Sequence, residues 1–191
     1  MINHFFKHIN KFIEVDKDEF KEIMPFFDLS NIRKKEIISE ANHKCNFNHF
    51  VLNGCLQMYF INNKGVERTV QFAIENWWIT DCLDFHNQGI TSFYIQAIEN
   101  SQILSISVDK QKELLDQFPK LEKYFRIIYQ ISFGASQMKM KYLYEFSKEE
   151  IYFNFIDKYP DFAQRIPQYL LASYLGLTPE YVSEIRNKKR S

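Results

Sequence analysis

Between Pro119 and about residue 145 the sequence contains no further proline and a single glycine, Gly134. Tyr124, Ile128, Ile131, Ala135, Met138 and Tyr142 recur in this stretch at spacings of four and three, a heptad seam. A second apolar stripe, Leu121, Phe125 and Tyr129, lies on a neighbouring face. A long helix with two apolar faces has to pack both, and its own domain accounts for one. The small residues Ser132, Gly134, Ala135 and Ser136 would let a second such helix approach closely. The expectation is a homodimer built on a helix over 119–145. The competing reading is a core helix packed entirely within its own domain.

What precedes that helix has a different period. From about residue 32 to 108 the apolar residues alternate as they do in strands. "FVLNGCLQMYFI" (50–61) and "VERTVQFAI" (66–74) flank the turn sequence "NNKG" (62–65), a hairpin pattern. "YIQAIENSQILSISV" (94–108) gives two more strand-like runs, broken at "ENS". Ahead of them, "VDKDEFKEIMPFF" (15–27) predicts a short amphipathic helix behind an Asp cap. These patterns predict an α+β chain: an N-terminal antiparallel β-sandwich or jelly roll, a long helix, and a small all-α C-terminal domain. Asp109 is the expected cap of a helix over "DKQKELLDQF". Ser147, with Glu150 three residues on, predicts a capping box and a helix over 148–158 that stops before Pro160.

Charge separates the same two halves. The 191 residues carry 24 basic and 24 acidic side chains, so there is no global field that favours a polyanion. Residues 1–108 nonetheless hold a small acidic excess and residues 109–191 an equal basic one. Cys45, Cys55 and Cys82 show no CxxC spacing and read as reduced thiols. No apolar run approaches the roughly 20 residues that span a bilayer, and the first residues lack the apolar core of a signal peptide. A cytoplasmic protein with no membrane partner is expected.

The C-terminal pattern is the most specific. In "RIPQYLLASYLGLTPEYVSEIRNKK" (165–189), Pro167 opens a helix whose inward positions are Leu170, Leu171 and Leu175. Gly176 stands where that helix has to end in a left-handed conformation, and Leu177 fills the corner. Thr178 is an N-cap, Pro179 the first helical residue, and Val182 and Ile185 the buried stripe of the next helix. Helix, glycine turn and capped helix make a helix-turn-helix, whose second helix can enter a DNA major groove. The candidate DNA contacts are Gln168, Thr178, Pro179, Glu180, Tyr181, Ser183, Glu184, Arg186, Asn187, Lys188 and Lys189. An αα-hairpin that only packs on the core is the competing reading.

The order of sandwich, long helix and terminal helix-turn-helix resembles the Crp/Fnr family of transcription regulators, in its Bacteroidetes-type members with a cyclic-nucleotide-binding-like domain. The stretches that carry the resemblance are "NGCLQMYFINNKGVERTVQFAIENWWITD" (53–81) and "FAQRIPQYLLASYLGLTPEYVSEIR" (162–186). It implies a sensor domain over 1–118, a dimerisation helix over 119–145 and a DNA-binding domain over 146–191. It also implies double-stranded DNA, a second copy of the chain and RNA polymerase as partners, and a small-molecule effector. No wing of strands is expected, because 146–166 reads as helix.

Two departures limit what the resemblance carries over. The family's nucleotide binders hold ribose and phosphate with a Gly-Glu pair and an Arg. Thr80 and Asp81 fall at the pair here and Thr91 at the Arg. Without that guanidinium a phosphate loses its bidentate partner, which argues against cAMP and cGMP. The candidate effector pocket is Phe72, Trp78, Thr80, Asp81, Thr91, Ser92 and Phe93, with no cofactor named and aromatic core filling as the alternative. The second departure is Glu184, which follows Ser183 where relatives place an Arg that reads guanine.

No catalytic motif is present, so the expectation is no enzyme and no metal. A cupin-like metal site would need clustered ligands. His43 and His49 read as surface residues near strand ends, and His4 and His8 lie one helical turn apart near the N-terminus. A ligand-binding or protein-interaction module with a vestigial helix-turn-helix is the alternative function.

Overall fold

The computed structural model describes residues 2–190, with side chains to residue 188. The chain divides into two compact units. One holds the residues up to Phe60 together with Val70–Gln130, and the other holds Ile61–Thr69 together with the chain from Ile131 onward. The division falls inside the long helix.

The first unit contains two four-stranded antiparallel sheets. Strands β1 (Asp28–Ile32), β8 (Ser101–Ser107), β3 (Phe47–Asn53) and β6 (Trp78–Ile79) form one, in that order. Strands β2 (Ile37–Ser39), β7 (Tyr94–Ala97), β4 (Leu56–Ile61) and β5 (Glu67–Ala73) form the other. The register pairs Leu56 with Ala97 and Met58 with Ile95. All four join Val51, Ile79 and Ile103 in one apolar cluster. Alternation then sends Phe50, Leu52, Leu104 and Ile106 to the opposite face of the first sheet, where a second cluster covers them.

That second cluster is built from helices: α1 (Ile2–Ile9), α2 (Lys17–Ile23), α4 (Val108–Gln117) and the start of α5 (Lys120–Glu145). Its centre is aromatic, with Phe5, Phe50, Trp78 and Phe125 in tilted or edge-on contact at 4.7–6.0 Å. Asp16 caps α2, accepting from the backbone N–H groups of Asp18 and Glu19. The cap of α4 is Ser107, whose hydroxyl accepts from Lys110 N, and not Asp109, which lies inside the first turn.

The run 50–61 is two strands and not one. Gly54 separates them at φ +103, and a Cβ there would meet Ser101 Cα at 2.6 Å. The turn at 62–65 is closed by Asn62, whose side-chain oxygen accepts from the N–H groups of Lys64 and Val66. His49 is the clearest reversal of expectation: it is buried on β3, with Nδ1 2.8 Å from Ser105 Oγ, not on the surface. Burial pushes its imidazole down to about 4.

In the second unit, α6 (Lys148–Lys158) starts at the predicted capping box. Ser147 Oγ accepts from Glu150 N, and the Glu150 carboxylate accepts from Ser147 N. A short helix, α7 (Pro160–Arg165), follows, then α8 (Gln168–Tyr174) and α9 (Pro179–Arg190). The β4–β5 tip belongs to this unit through one side chain. Ser173 Oγ accepts from Thr69 N at 3.0 Å and donates to Glu67 O at 3.2 Å. Lys139 lies with its ammonium 3.7 Å from the centre of the Tyr174 ring, and burial lowers its pKa to about 8.

Candidate nucleic-acid interface

The local sequence dictates how α8 passes to α9. Gly176 adopts φ +72. Its N–H bonds Ser173 O at 3.1 Å, and the Leu177 N–H bonds Ala172 O at 2.8 Å. That pair of bonds is a Schellman motif, with Leu177 as the buried apolar residue that closes it. Thr178 Oγ1 then accepts from Tyr181 N at 3.2 Å, and Pro179 opens α9. Val182 and Ile185 are buried beneath the helix.

This leaves Thr178, Pro179, Glu180, Ser183, Glu184, Asn187 and Lys188 exposed along α9, with Tyr181 and Arg186 half-buried. Lys189 lies outside the residues whose side chains are described. Several of these groups already have partners. Arg186 donates to Gln168 Oε1 at 2.5 Å, and Gln168 Nε2 donates to Ser183 Oγ at 3.3 Å. Ser183 Oγ in turn donates to Pro179 O, one turn back. The guanidinium therefore clasps α9 to the start of α8. Glu184 is paired as well, 2.6 Å from Lys188 Nζ, so its charge is locally balanced on the exposed face. No sequence pattern signalled the Gln168–Arg186 clasp, which joins residues 18 apart across the turn.

The candidate effector residues separate into two groups. Trp78 belongs to the helix-side aromatic core and not to a pocket: its ring Nε1 donates to Tyr124 OH at 2.9 Å. Thr80, Asp81, Thr91 and Phe93 come together. Asp81 caps α3 (Cys82–Asn87), accepting from Asp84 N at 3.3 Å, and its second oxygen accepts from Thr91 Oγ1 at 2.8 Å. Thr91 Oγ1 also accepts from Phe93 N, and Thr80 Oγ1 donates to Phe47 O. All three polar side chains are buried. The cluster thus satisfies itself, and both carboxylate oxygens of Asp81 are occupied. Phe93 is half-buried, edge-on to Phe60 at 6.2 Å. Phe72 is also half-buried, and Ser92 is exposed.

On α5 the predicted seam is interrupted. Tyr124 is fully buried in the first unit, where its hydroxyl meets both Trp78 Nε1 and His8 Nδ1 at 2.9 Å. Accepting from the indole, the hydroxyl donates to His8 Nδ1, which assigns the imidazole proton to Nε2. Burial, with Lys11 as a smaller contributor, lowers His8 to about 4. Tyr124 is therefore not open to a partner, and Ile128 is half-buried against the same core. Ile131, Ala135 and Met138 are exposed, and Tyr142 is half-buried. No group of three or more His, Cys, Asp or Glu side chains with metal-binding placement occurs among the described residues. No described helix is long and apolar enough to cross a membrane.

No protein-family model matches the chain, and no curated protein matches it. Solved structures do. FixK2 from Bradyrhizobium japonicum aligns with a TM-score of 0.72 at 14% identity, over 85% of this chain and 83% of that one. CLP from Xanthomonas campestris, a c-di-GMP responsive global regulator, aligns with a TM-score of 0.72 at 10% identity, over 92% of both chains. A protein of Eubacterium rectale assigned to the crp/fnr family of transcriptional regulators gives 0.70 at 15% identity, over 92% and 84%. The chain has the fold of the Crp/Fnr regulators over most of its length.

Proposed function

We propose that this chain is a sequence-specific DNA-binding transcription regulator of the Crp/Fnr type, active as a homodimer in the cytoplasm and not an enzyme. Residues 1–118 act as the sensor, 119–145 as the dimerisation helix and 146–191 as the DNA reader. The observation that carries the reading is the α8–α9 pair. The glycine-closed turn and the threonine cap hold α9 rigidly, with its first turn exposed, the geometry a recognition helix needs. The likeness in fold to regulators such as FixK2 supports it. Arg186 and Gln168 act by holding α9 on α8, while Glu180, Ser183, Asn187 and the Glu184–Lys188 pair face the groove. RNA polymerase is the expected further partner.

The effector is neither cAMP nor cGMP bound in the family's usual way. A phosphate at Thr80, Asp81 and Thr91 would meet a carboxylate already bonded to a threonine hydroxyl, and no cation among these three. Any ligand that regulates the protein has to favour one arrangement of the two readers over the other, because equal affinity shifts nothing.

The test is selection of DNA from a random library by the full chain at two salt concentrations. A palindromic motif whose recovery falls steeply with salt is the expected result. The pairing of Glu184 and Arg186 within the protein favours a second reading, an interaction module with a vestigial helix-turn-helix. Failure to enrich any motif, with and without cell extract, would establish that reading instead.

A further inference from the structure

α5 carries a second stripe at heptad spacing that the seam from Tyr124 to Tyr142 does not include. Arg126, Gln130, Phe133, Gln137, Met140 and Tyr144 are spaced four, three, four, three and four, and every one of them is exposed. Phe133, Met140 and Tyr144 each stand two residues beyond Ile131, Met138 and Tyr142. At 3.6 residues per turn that places them about 200° away, on nearly the opposite side of the helix.

The two stripes differ in what already covers them. The first loses Tyr124 and half of Ile128 to the aromatic core. At its other end Tyr142 lies against the Phe146 ring at 5.5 Å and beneath the Lys158 ammonium at 5.8 Å. The remaining large members, Ile131 and Met138, are 43% and 45% exposed. The second stripe is open throughout, with Phe133, Met140 and Tyr144 at 66%, 53% and 83%. Lone exposed apolar residues need no explanation, but three in heptad register on one helix face do.

We infer that a second copy of this chain covers the Gln130–Tyr144 stripe, in a parallel two-fold helix pair. The inference rests on the homodimeric reading above and names the face that reading left open. Its warrant is self-complementarity. A two-fold axis along the pair sets each stripe residue against its own copy, so a charge there would meet the same charge. From Ile127 to Met138 the helix has no charged residue at all, and the stripe stays neutral to Tyr144. A partner of other chemistry would not require that neutrality. Gln130 and Gln137 fall at the a positions, where an amide can donate to and accept from its twin, fixing register at some cost in affinity. Phe133 and Met140 fall at d, and Gly134 and Ser136 beside them leave room for close approach.

The experiment is disulfide trapping in the full chain, in a Cys82→Ser background because Cys82 is the exposed native thiol. Phe133→Cys and Met140→Cys probe the proposed face, and Ile131→Cys and Met138→Cys the other. Sedimentation of the unsubstituted chain gives its mass independently. The expected result is a dimer by mass that traps covalently at 133 and 140, and at most weakly at 131 and 138. Gln137→Glu, which sets two carboxylates against each other, should raise the dimer dissociation constant about tenfold or more, while Met138→Glu changes it little. A dimer that traps at 131 and 138 overturns the assigned face and leaves the homodimeric reading intact. A dimer that traps at none of the four overturns the face and the role of α5 together. A monomer overturns the homodimeric reading as well.

Discussion

The two halves of α5 have similar composition and opposite surroundings. From Leu121 to Phe125 the helix is built into an aromatic core, and Tyr124 is sealed there by bonds to His8 and Trp78. From Phe133 to Tyr144 it shows large apolar side chains to solvent. Periodicity reports that a face is apolar, not which surface covers it. Only the burial of Tyr124 separates a stripe used within the chain from one that is not.

Substitution should separate the halves most sharply. Both tryptophans, Trp77 and Trp78, lie in the first unit, so fluorescence reports its unfolding alone. Tyr124→Ala should cost this unit about 3–5 kcal/mol in denaturant unfolding, through lost packing and the two buried nitrogens left without a partner. A cost near zero would mean that the upper half is as open as the lower.

Acid should act on one side only. His8 and His49 sit at about 4 in the folded chain, below the value of 6.5 for a free imidazole. The unfolded chain therefore binds their protons first. Stability is complete above about pH 6.5 and falls progressively as the pH drops toward 4. All five histidines lie in the first unit. Urea midpoints measured across that range should shift for the tryptophan signal. Hydrogen exchange in α6 to α9 should show no matching loss.

Smaller effects refine the contrast. Tyr124→Phe keeps the ring and removes the hydroxyl, so about 1–3 kcal/mol of the larger loss should remain. Gly176→Ala forces a methyl group into a left-handed turn. It should cost the α8–α9 pair about 1–2 kcal/mol, read as faster exchange of the Leu177 and Val182 amides. Tyr144→Ala should leave unfolding within about 0.5 kcal/mol at a protein concentration that holds the chain monomeric.

What was legible in the sequence was local. Gly176, Thr178 and Pro179 announce the α8–α9 turn because each satisfies backbone groups within five residues of itself, and Ser147 with Glu150 does the same for α6. The hairpin turn at Asn62 was readable for the same reason. What escaped depends on long-range pairing. His8 reaches Tyr124 across 116 residues, and Thr91 closes on Asp81 only once β6 and β7 are in place. His49 looks polar in the sequence, yet its Ser105 partner lies 56 residues away on the neighbouring strand. Gly54 inside an alternating run was the readable signal of a break, since its conformation excludes a side chain.

Strand β5 is the outermost strand of its sheet, and outermost strands offer unpaired N–H and C=O groups to any passing chain. Ser173 reaches one donor and one acceptor of that edge, Thr69 N and Glu67 O, with a single hydroxyl. A side chain from a helix thus stands in for a ninth strand. Its consequence lies in solubility: the protein guards its most adhesive edge with the same helix that seats the recognition helix. Loosening that helix exposes a template for aggregation.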